Sequence, residues 1–222
     1  MENTTRIMII DTETTNSIDD PIVYDLGYEI FDLDGLLYDR NSFVNADVFL
    51  DEELMSSAYF IDKIPQYWKD IKNGKRELRR WRTITDTLYK TIRDNDVKII
   101  VAHNARFDYR SIHLTQRYET ASRWRWVFPW GVEWYDTLKM CRKVFGSDSN
   151  YKNWCIANGF ITQTNQPKLT AEVVYKYISH DLDFEESHTG LEDVQIEKQI
   201  LLYCLQRIDL EVGKLWADVI KV

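Results

Sequence analysis

The chain has 222 residues, a net charge of -8 and a hydrophobic fraction of 44%. Length and apolar content fit one large domain with a full core rather than a disordered polypeptide. The acidic balance argues against a protein that coats long nucleic acid by counterion release. It leaves open an enzyme that admits only a chain end to an acidic, cation-filled cleft, where bound ions reverse the local electrostatics.

The first ten residues, MENTTRIMII, carry one Arg and a short apolar run. They read as neither a signal peptide nor a membrane span, and no membrane partner is expected. Cys141, Cys155 and Cys204 are far apart and lack CxxC spacing. A disulfide framework or zinc site is therefore not expected, and the cysteines read as reduced core residues of a cytoplasmic protein. The 8 Trp, 13 Tyr and 9 Phe are a heavy aromatic load, suited to burial or to stacking on bases.

In chain order, RIMIID (Arg6 to Asp11) predicts a short buried strand. Residues 21–44 predict two strands joined at Asp34-Gly35, a hairpin signal. From Asp51 to Asp96 the pattern is helical, with breaks near Pro65 and Asn73-Gly74. KIIVA (Lys98 to Ala102) predicts a second apolar strand, after which Asn104 can cap a helix from Ala105 towards Tyr118. VEWYDT (Val132 to Thr137) predicts a strand, with a helix to follow through Val144. Further helices are expected over Asn150 to Asn158, Thr170 to Ser179, and from about Gly190 into the 210s. A hairpin followed by alternating strands and helices implies an α/β fold, a mixed sheet flanked by helices.

Three places hold carboxylates in patterns that bear on chemistry. At the end of the first strand, Asp11 and Glu13 are two residues apart, so both point to one face. Two such groups repel unless a cation lies between them, and oxygen ligands suit Mg²⁺ or Mn²⁺ rather than zinc. Alone, the pair also reads as two solvated acids at a strand end. Asp108 lies one turn into the helix that Asn104 caps, where it also reads as an acid at the positive end of the helix dipole. His188 and Asp193 are five residues apart, about 500° around a continuous helix, and would not share a face. Thr189 and Glu192, however, form a T-x-x-E capping box that makes Thr189 the N-cap. His188 and Asp193 are then the two positions that meet in a hydrophobic staple, which brings an imidazole beside a carboxylate. The alternative is a surface histidine beside a helix start.

Taken together, DTETT, HNARFD and HTGLED resemble the three motifs of the DnaQ-like DEDDh 3′–5′ exonucleases, in order and across the whole chain. Asp136-Thr137-Leu138 also resembles the DTL stretch common in that group. The resemblance implies an RNase H-like fold with a five-stranded mixed sheet, and a single exonuclease domain over residues 1–222 with a helical insertion around 46–82. It also implies two divalent ions, Mg²⁺ or Mn²⁺. Asp11 would bridge both, Glu13 and Asp193 would complete the water-activating site, Asp108 would help hold the second ion, and His188 would take the proton from the attacking water. Thr12, Thr14 and Thr15 would line the terminal nucleotide, and His103 and Asn104 lie close enough in sequence to Asp108 to do likewise. A plain helix cap is the other reading of Asn104. Asn16 stands where many relatives have Gly, and Gly190 where many have Ala.

The expected activity is removal of nucleoside 5′-monophosphates from single-stranded DNA 3′ ends. An RNA exonuclease of the RNase T or oligoribonuclease type is the alternative, and a non-catalytic module docking on nucleic acid or a polymerase is a rival of another class. A polymerase or a second copy of the chain is left open as partner. Two further stretches bear on the strand. In KNGKRELRRWR, Lys75, Arg79 and Arg82 would share a helix face, as a phosphate rail or a solvated basic face. In SRWRWVFPW (Ser122 to Trp130), rings would either stack on bases or pack over the core.

Overall fold

The computed structural model describes residues 5–15, 20–120 and 126–216. Its centre is a six-stranded sheet in the order β4-β3-β2-β1-β5-β6. In chain order the elements are β1 (Arg6–Thr15), β2 (Ile22–Asp32), β3 (Leu37–Asn45), α1 (Ala46–Phe49), α2 (Glu52–Met55), a short 3-10 turn (Ile61–Lys63), α3 (Ile64–Lys72), β4 (Glu77–Arg79), α4 (Trp81–Asp94), β5 (Ile99–Ala102) and α5 (Ala105–Glu119). After these come β6 (Glu133–Asp136), α6 (Thr137–Phe145), α7 (Ser149–Ala157), α8 (Ala171–Ser179), α9 (Gly190–Leu205) and a terminal 3-10 turn (Leu210–Gly213). β1 pairs antiparallel with β2 and parallel with β5; β2 and β3 are antiparallel; β3–β4 and β5–β6 are parallel. This is an α/β architecture with a mixed sheet, the RNase H-like arrangement the sequence predicts, with one strand more than expected.

That extra strand, β4, lies within the stretch read as a basic helix. Residues 77–79 add to the open edge of β3, Phe43 pairing with Glu77 and Asn45 with Arg79. A short, charged edge strand escapes periodicity because its charges serve to block further pairing. Lys75, Arg79 and Arg82 therefore sit in a turn, a strand and a helix and share no helical face. Pro65 also departs from its reading as a break, since it occupies the first turn of α3, where its missing N–H has no helical acceptor to lose.

Strand periodicity sorts the core into layers. Met8 and Ile10 of β1 and Leu26, Tyr28 and Ile30 of β2 pack with Trp81, Ile84 and Leu88 of α4 and Ile112 of α5. Ile7, Ile9 and Phe31 point the other way, onto Met140 and Cys141 of α6 and Val194, Ile200 and Leu201 of α9. A third cluster joins Tyr24 and Val44 to Val48, Phe49, Met55 and Tyr67 of the 46–72 segment. β2 is buried along its whole length because both faces are covered. Cys141, Cys155 and Cys204 are free and buried, as predicted. No helix among the described residues is long and apolar enough to cross a membrane.

The parity that sends Ile7 and Ile9 towards α9 carries on to Asp11 and Glu13. It breaks just afterwards: Glu13 pairs with Asp25 but Thr14 pairs with Val23, leaving Tyr24 as an extra residue in β2. A bulge here ends the regular ladder beside the two acids.

Candidate active site

Asp11 and Glu13 emerge near the carboxyl end of β1, beside the connections that leave β5 and β6. Those two connections are tied together by Asp136. Its Oδ1 accepts from Leu138 N (2.8 Å), capping α6, and from Asn104 N (3.0 Å) at the start of α5. Asn104 holds the N-cap position without a capping side-chain bond. It adopts a left-handed backbone (φ 68°) instead, which turns the chain from β5 into α5 and leaves its side chain exposed on the cleft. Asn tolerates that conformation better than most residues.

One turn later Asp108 is buried, and Thr12 Oγ1 donates to its Oδ1 at 2.9 Å. Burial pushes the Asp108 carboxyl up to about 7 against the opposing pull of that hydrogen bond. Thr12 thus braces a carboxylate. Thr15 is buried as well, its hydroxyl donating to Ile22 O at 3.3 Å, so of the three threonines only Thr14 keeps a partly exposed side chain.

α9 begins at Gly190 with Thr189 as its N-cap, the boundary the sequence predicts, but the bonding differs. The residue that reaches back to Thr189 N is Asp193, through Oδ2 at 2.9 Å, and not Glu192. The Thr189 hydroxyl meets Glu192 Oε2 at 2.7 Å, and Glu192 turns outward to Lys75 and Arg76. The reason is a buried knot underneath. Arg76, almost wholly enclosed, donates to Asp25, Asp70, Ser42 and Glu192. Asp25 accepts in turn from Tyr67 OH (2.7 Å) and Gly190 N (2.9 Å). The start of α9 is also pressed backbone to backbone onto the sheet: a Cβ on Gly190 would lie 2.7 Å from Gly27 N and 3.2 Å from Asp11 O.

This seating brings the third motif to the first. Ligand atoms of Glu13, His188 and Asp193 lie within 4.8 Å of one another. His188 takes a left-handed backbone (φ 52°) just before the N-cap. Burial pushes Asp193 up to about 8, with Glu186 adding to it. Asp11 and Glu13 are raised too, first by burial. The groups acting on Asp11 are all carboxylates, Glu197 first and then Asp108, Asp193 and Glu13. His188 is pushed the other way, downward, chiefly by burial. Two carboxylates and an imidazole held this close, with further carboxylates acting on them, make a donor set that a divalent cation would fit.

Two acids escaped the sequence reading. Glu186, pushed by burial up to about 7, lines the same cleft. Glu197, one turn after Asp193, is buried and accepts from His103 N at 3.2 Å. Its signal was present: an acid on the apolar stripe of α9, four residues after a carboxylate already singled out. His103 itself has both ring nitrogens engaged, Nε2 with Leu169 O (2.8 Å) and Nδ1 with Thr137 Oγ1 (2.9 Å). Since a carbonyl only accepts, Nε2 carries the proton, and burial pushes the ring towards its neutral form. The cleft measures about 710 Å³, and Arg142 and Lys168 line it together with the carboxylates. Of SRWRWVFPW, residues 122–125 lie outside the described residues. Val127 and Phe128 pack in the core, whereas Trp126 and Trp130 are exposed, the latter at 95%.

No family model and no curated protein sequence matches the chain. Solved structures do match it. Exonuclease X, bound to 5′-overhanging duplex DNA, aligns with a TM-score of 0.55 at 17% identity over 94% of this chain and 97% of its own. A 3′-exonuclease in 3′-end-specific recognition of the histone mRNA stem-loop aligns at 0.58 and 10% identity, over 92% of this chain and 64% of its own. Pop2p from S. pombe in its Mg²⁺- and Mn²⁺-bound form aligns at 0.50 and 12%, over 90% and 83%. The chain has the fold of the DEDD 3′–5′ exonucleases. Within that fold, the four acids read from the sequence fall on β1, α5 and the first turn of α9, with His188 just ahead of α9; Asp11, Glu13, His188 and Asp193 line one cleft, and Asp108 is buried against Thr12.

Proposed function

We propose that the protein is a metal-dependent 3′–5′ exonuclease acting on single-stranded DNA ends. The observation that carries this reading is the convergence of Asp11, Glu13 and Asp193 beside His188 in one open cleft, with the buried Asp108 near enough to act on the charge of Asp11. Asp11, Glu13 and Asp193 would hold one divalent ion, and Asp11 with Asp108 a second. Bound there, such ions would lower the pKa of an attacking water and support the leaving oxygen.

The chain's own groups supply the rest. Thr12 fixes the Asp108 carboxylate, and the Thr189 amide fixes Asp193. Burial pushes the His188 imidazole downward, and in its neutral form the ring has a lone pair with which to accept the water's proton. His103 is excluded from that task because both its nitrogens are engaged. Arg142 and Lys168 stand where they can meet a phosphodiester, so an acidic protein can still hold an anionic chain end. Water oxygen attacks phosphorus, the bond to the 3′ oxygen breaks, and a nucleoside 5′-monophosphate leaves a strand one unit shorter with a free 3′ hydroxyl.

The test is digestion of 5′-labelled single strands of DNA and of RNA, with Mg²⁺ or Mn²⁺ and with EDTA. Metal-dependent, stepwise shortening is expected, faster on DNA, and abolished in Asp11→Asn and Asp108→Asn variants that keep the wild-type melting temperature. Faster shortening of RNA would move the reading to the RNA exonucleases. No shortening of either, or full activity in Asp11→Asn, would overturn the assignment.

A further inference from the structure

Histidines that accept protons in catalysis are usually oriented by a hydrogen bond from the second ring nitrogen to a carboxylate or carbonyl. His188 has none among the described residues. Glu186 Oε2 lies 3.8 Å from its Nδ1, beyond hydrogen-bonding distance. Its side chain is 36% exposed and its backbone is in the disfavoured left-handed region, so neither close packing on all sides nor the main chain holds the ring. What meets it is Phe60: the two rings lie parallel, centroids 4.1 Å apart with 9° between their planes. Phe60 is itself backed edge-on by Tyr59 at 4.8 Å, and Asp62 and Lys63 of the same turn are near enough to act on the charge of the imidazole.

We infer that Phe60 is the positioning residue of His188, and that the segment between α2 and α3 belongs to the candidate site through it. A flat ring against one imidazole face removes the rotation about the final side-chain bond while leaving both nitrogens unbonded. One of them is thereby kept free to accept a proton beside Glu13 and Asp193. The otherwise unassigned stretch of the 46–82 region thus supplies, from 128 positions away in the chain, the constraint that a hydrogen-bonded third group supplies elsewhere. The inference rests on the exonuclease reading for its catalytic consequence but not for the stack itself.

Two measurements test it. In nuclease assays, Phe60→Leu is expected to lower kcat by about tenfold to a hundredfold with KM little changed, as for a misplaced catalytic group. Phe60→Tyr, which keeps the ring, is expected to restore it. In NMR spectra, assigned with His188→Gln, the His188 ring protons are expected upfield in the wild type and at ordinary positions with a more mobile ring in Phe60→Leu, with melting temperature as the control for folding. An unchanged kcat in a folded Phe60→Leu protein, or failure of Phe60→Tyr to restore it, would overturn the inference. So would wild-type His188 signals with no ring-current displacement. Absence of nuclease activity in the wild type would overturn the exonuclease reading instead, and the ring signals would then decide this one.

Discussion

At the scale of single residues, the clearest signature of the site is that its acids resist being charged. Asp108 rises to about 7 and Asp193 to about 8, both from 3.8, each chiefly through burial. A group whose folded pKa lies above its unfolded one contributes stability at low pH, and loses it as pH rises through the folded value. Without metal, the protein is therefore expected to lose melting temperature steadily between about pH 4 and about pH 8. Mg²⁺ or Mn²⁺ should raise the melting temperature by mass action, far more at pH 8 than at pH 5, where protons compete for the same oxygens. Differential scanning calorimetry with and without metal checks this, and a metal effect equal at both pH values would count against these carboxylates as ligands. Asp11 and Glu13 were legible through strand alternation, His188 and Asp193 through the capping box at Thr189, and Asp108 through the resemblance of DTETT, HNARFD and HTGLED to three exonuclease motifs. Glu186 carried no such signal, and Glu197 carried only its place on the apolar stripe of α9; the fold is what brings its charge to bear on Asp11.

Among the elements, α9 shows where local rules run out. Its start at Gly190 could be read from Thr189 and Glu192, yet the bonds that hold it there come from afar. Asp193 caps it because Glu192 is drawn out to Arg76 and to Lys75, the latter expected from the sequence on a solvated basic face or a phosphate rail. Two predictions belong here. Gly190→Ala puts a methyl group against Gly27 N and Asp11 O, and is expected to destabilise the protein by about 1–3 kcal/mol, the range for overpacking. It should also weaken Mn²⁺ binding measured by calorimetry, because α9 must move away from β1 to make room; unchanged metal affinity would mean the contact does not set the site. Arg76→Met leaves Asp25 buried without its cation and is expected to cost about 3–5 kcal/mol in urea unfolding. Asp25→Asn in the same background should recover part of that loss, whereas simple additivity would show that the two groups do not couple. β4, three residues long, was missed for a related reason: it is made a strand by β3 beside it and not by its own pattern.

On the scale of the whole molecule, the two helical layers follow from alternation along β1 and β2, and the α/β class could be read before any coordinates from a hairpin followed by alternating strands and helices. The parity that sorts Ile7 from Met8 also decides that Asp11 and Glu13 face α9. One bulge later, with Tyr24 as the extra residue, the ladder has changed register. What alternation cannot reveal is how chain segments far apart interlock, and Arg76 is where that interlocking is tightest. Its partners Ser42, Asp70, Asp25 and Glu192 come from β3, α3, β2 and α9, with 116 positions between Arg76 and Glu192. A guanidinium enclosed with only some of these partners would be worse off than one in water, so no half-built version of this region is stable. The segment from α3 to β4 and the first turn of α9 should therefore dock and release as one cooperative unit. In native-state hydrogen exchange, the amides of Gly190 and Arg76 are expected to open with a single free energy and a single denaturant dependence, late to form in folding because the loop they close is long.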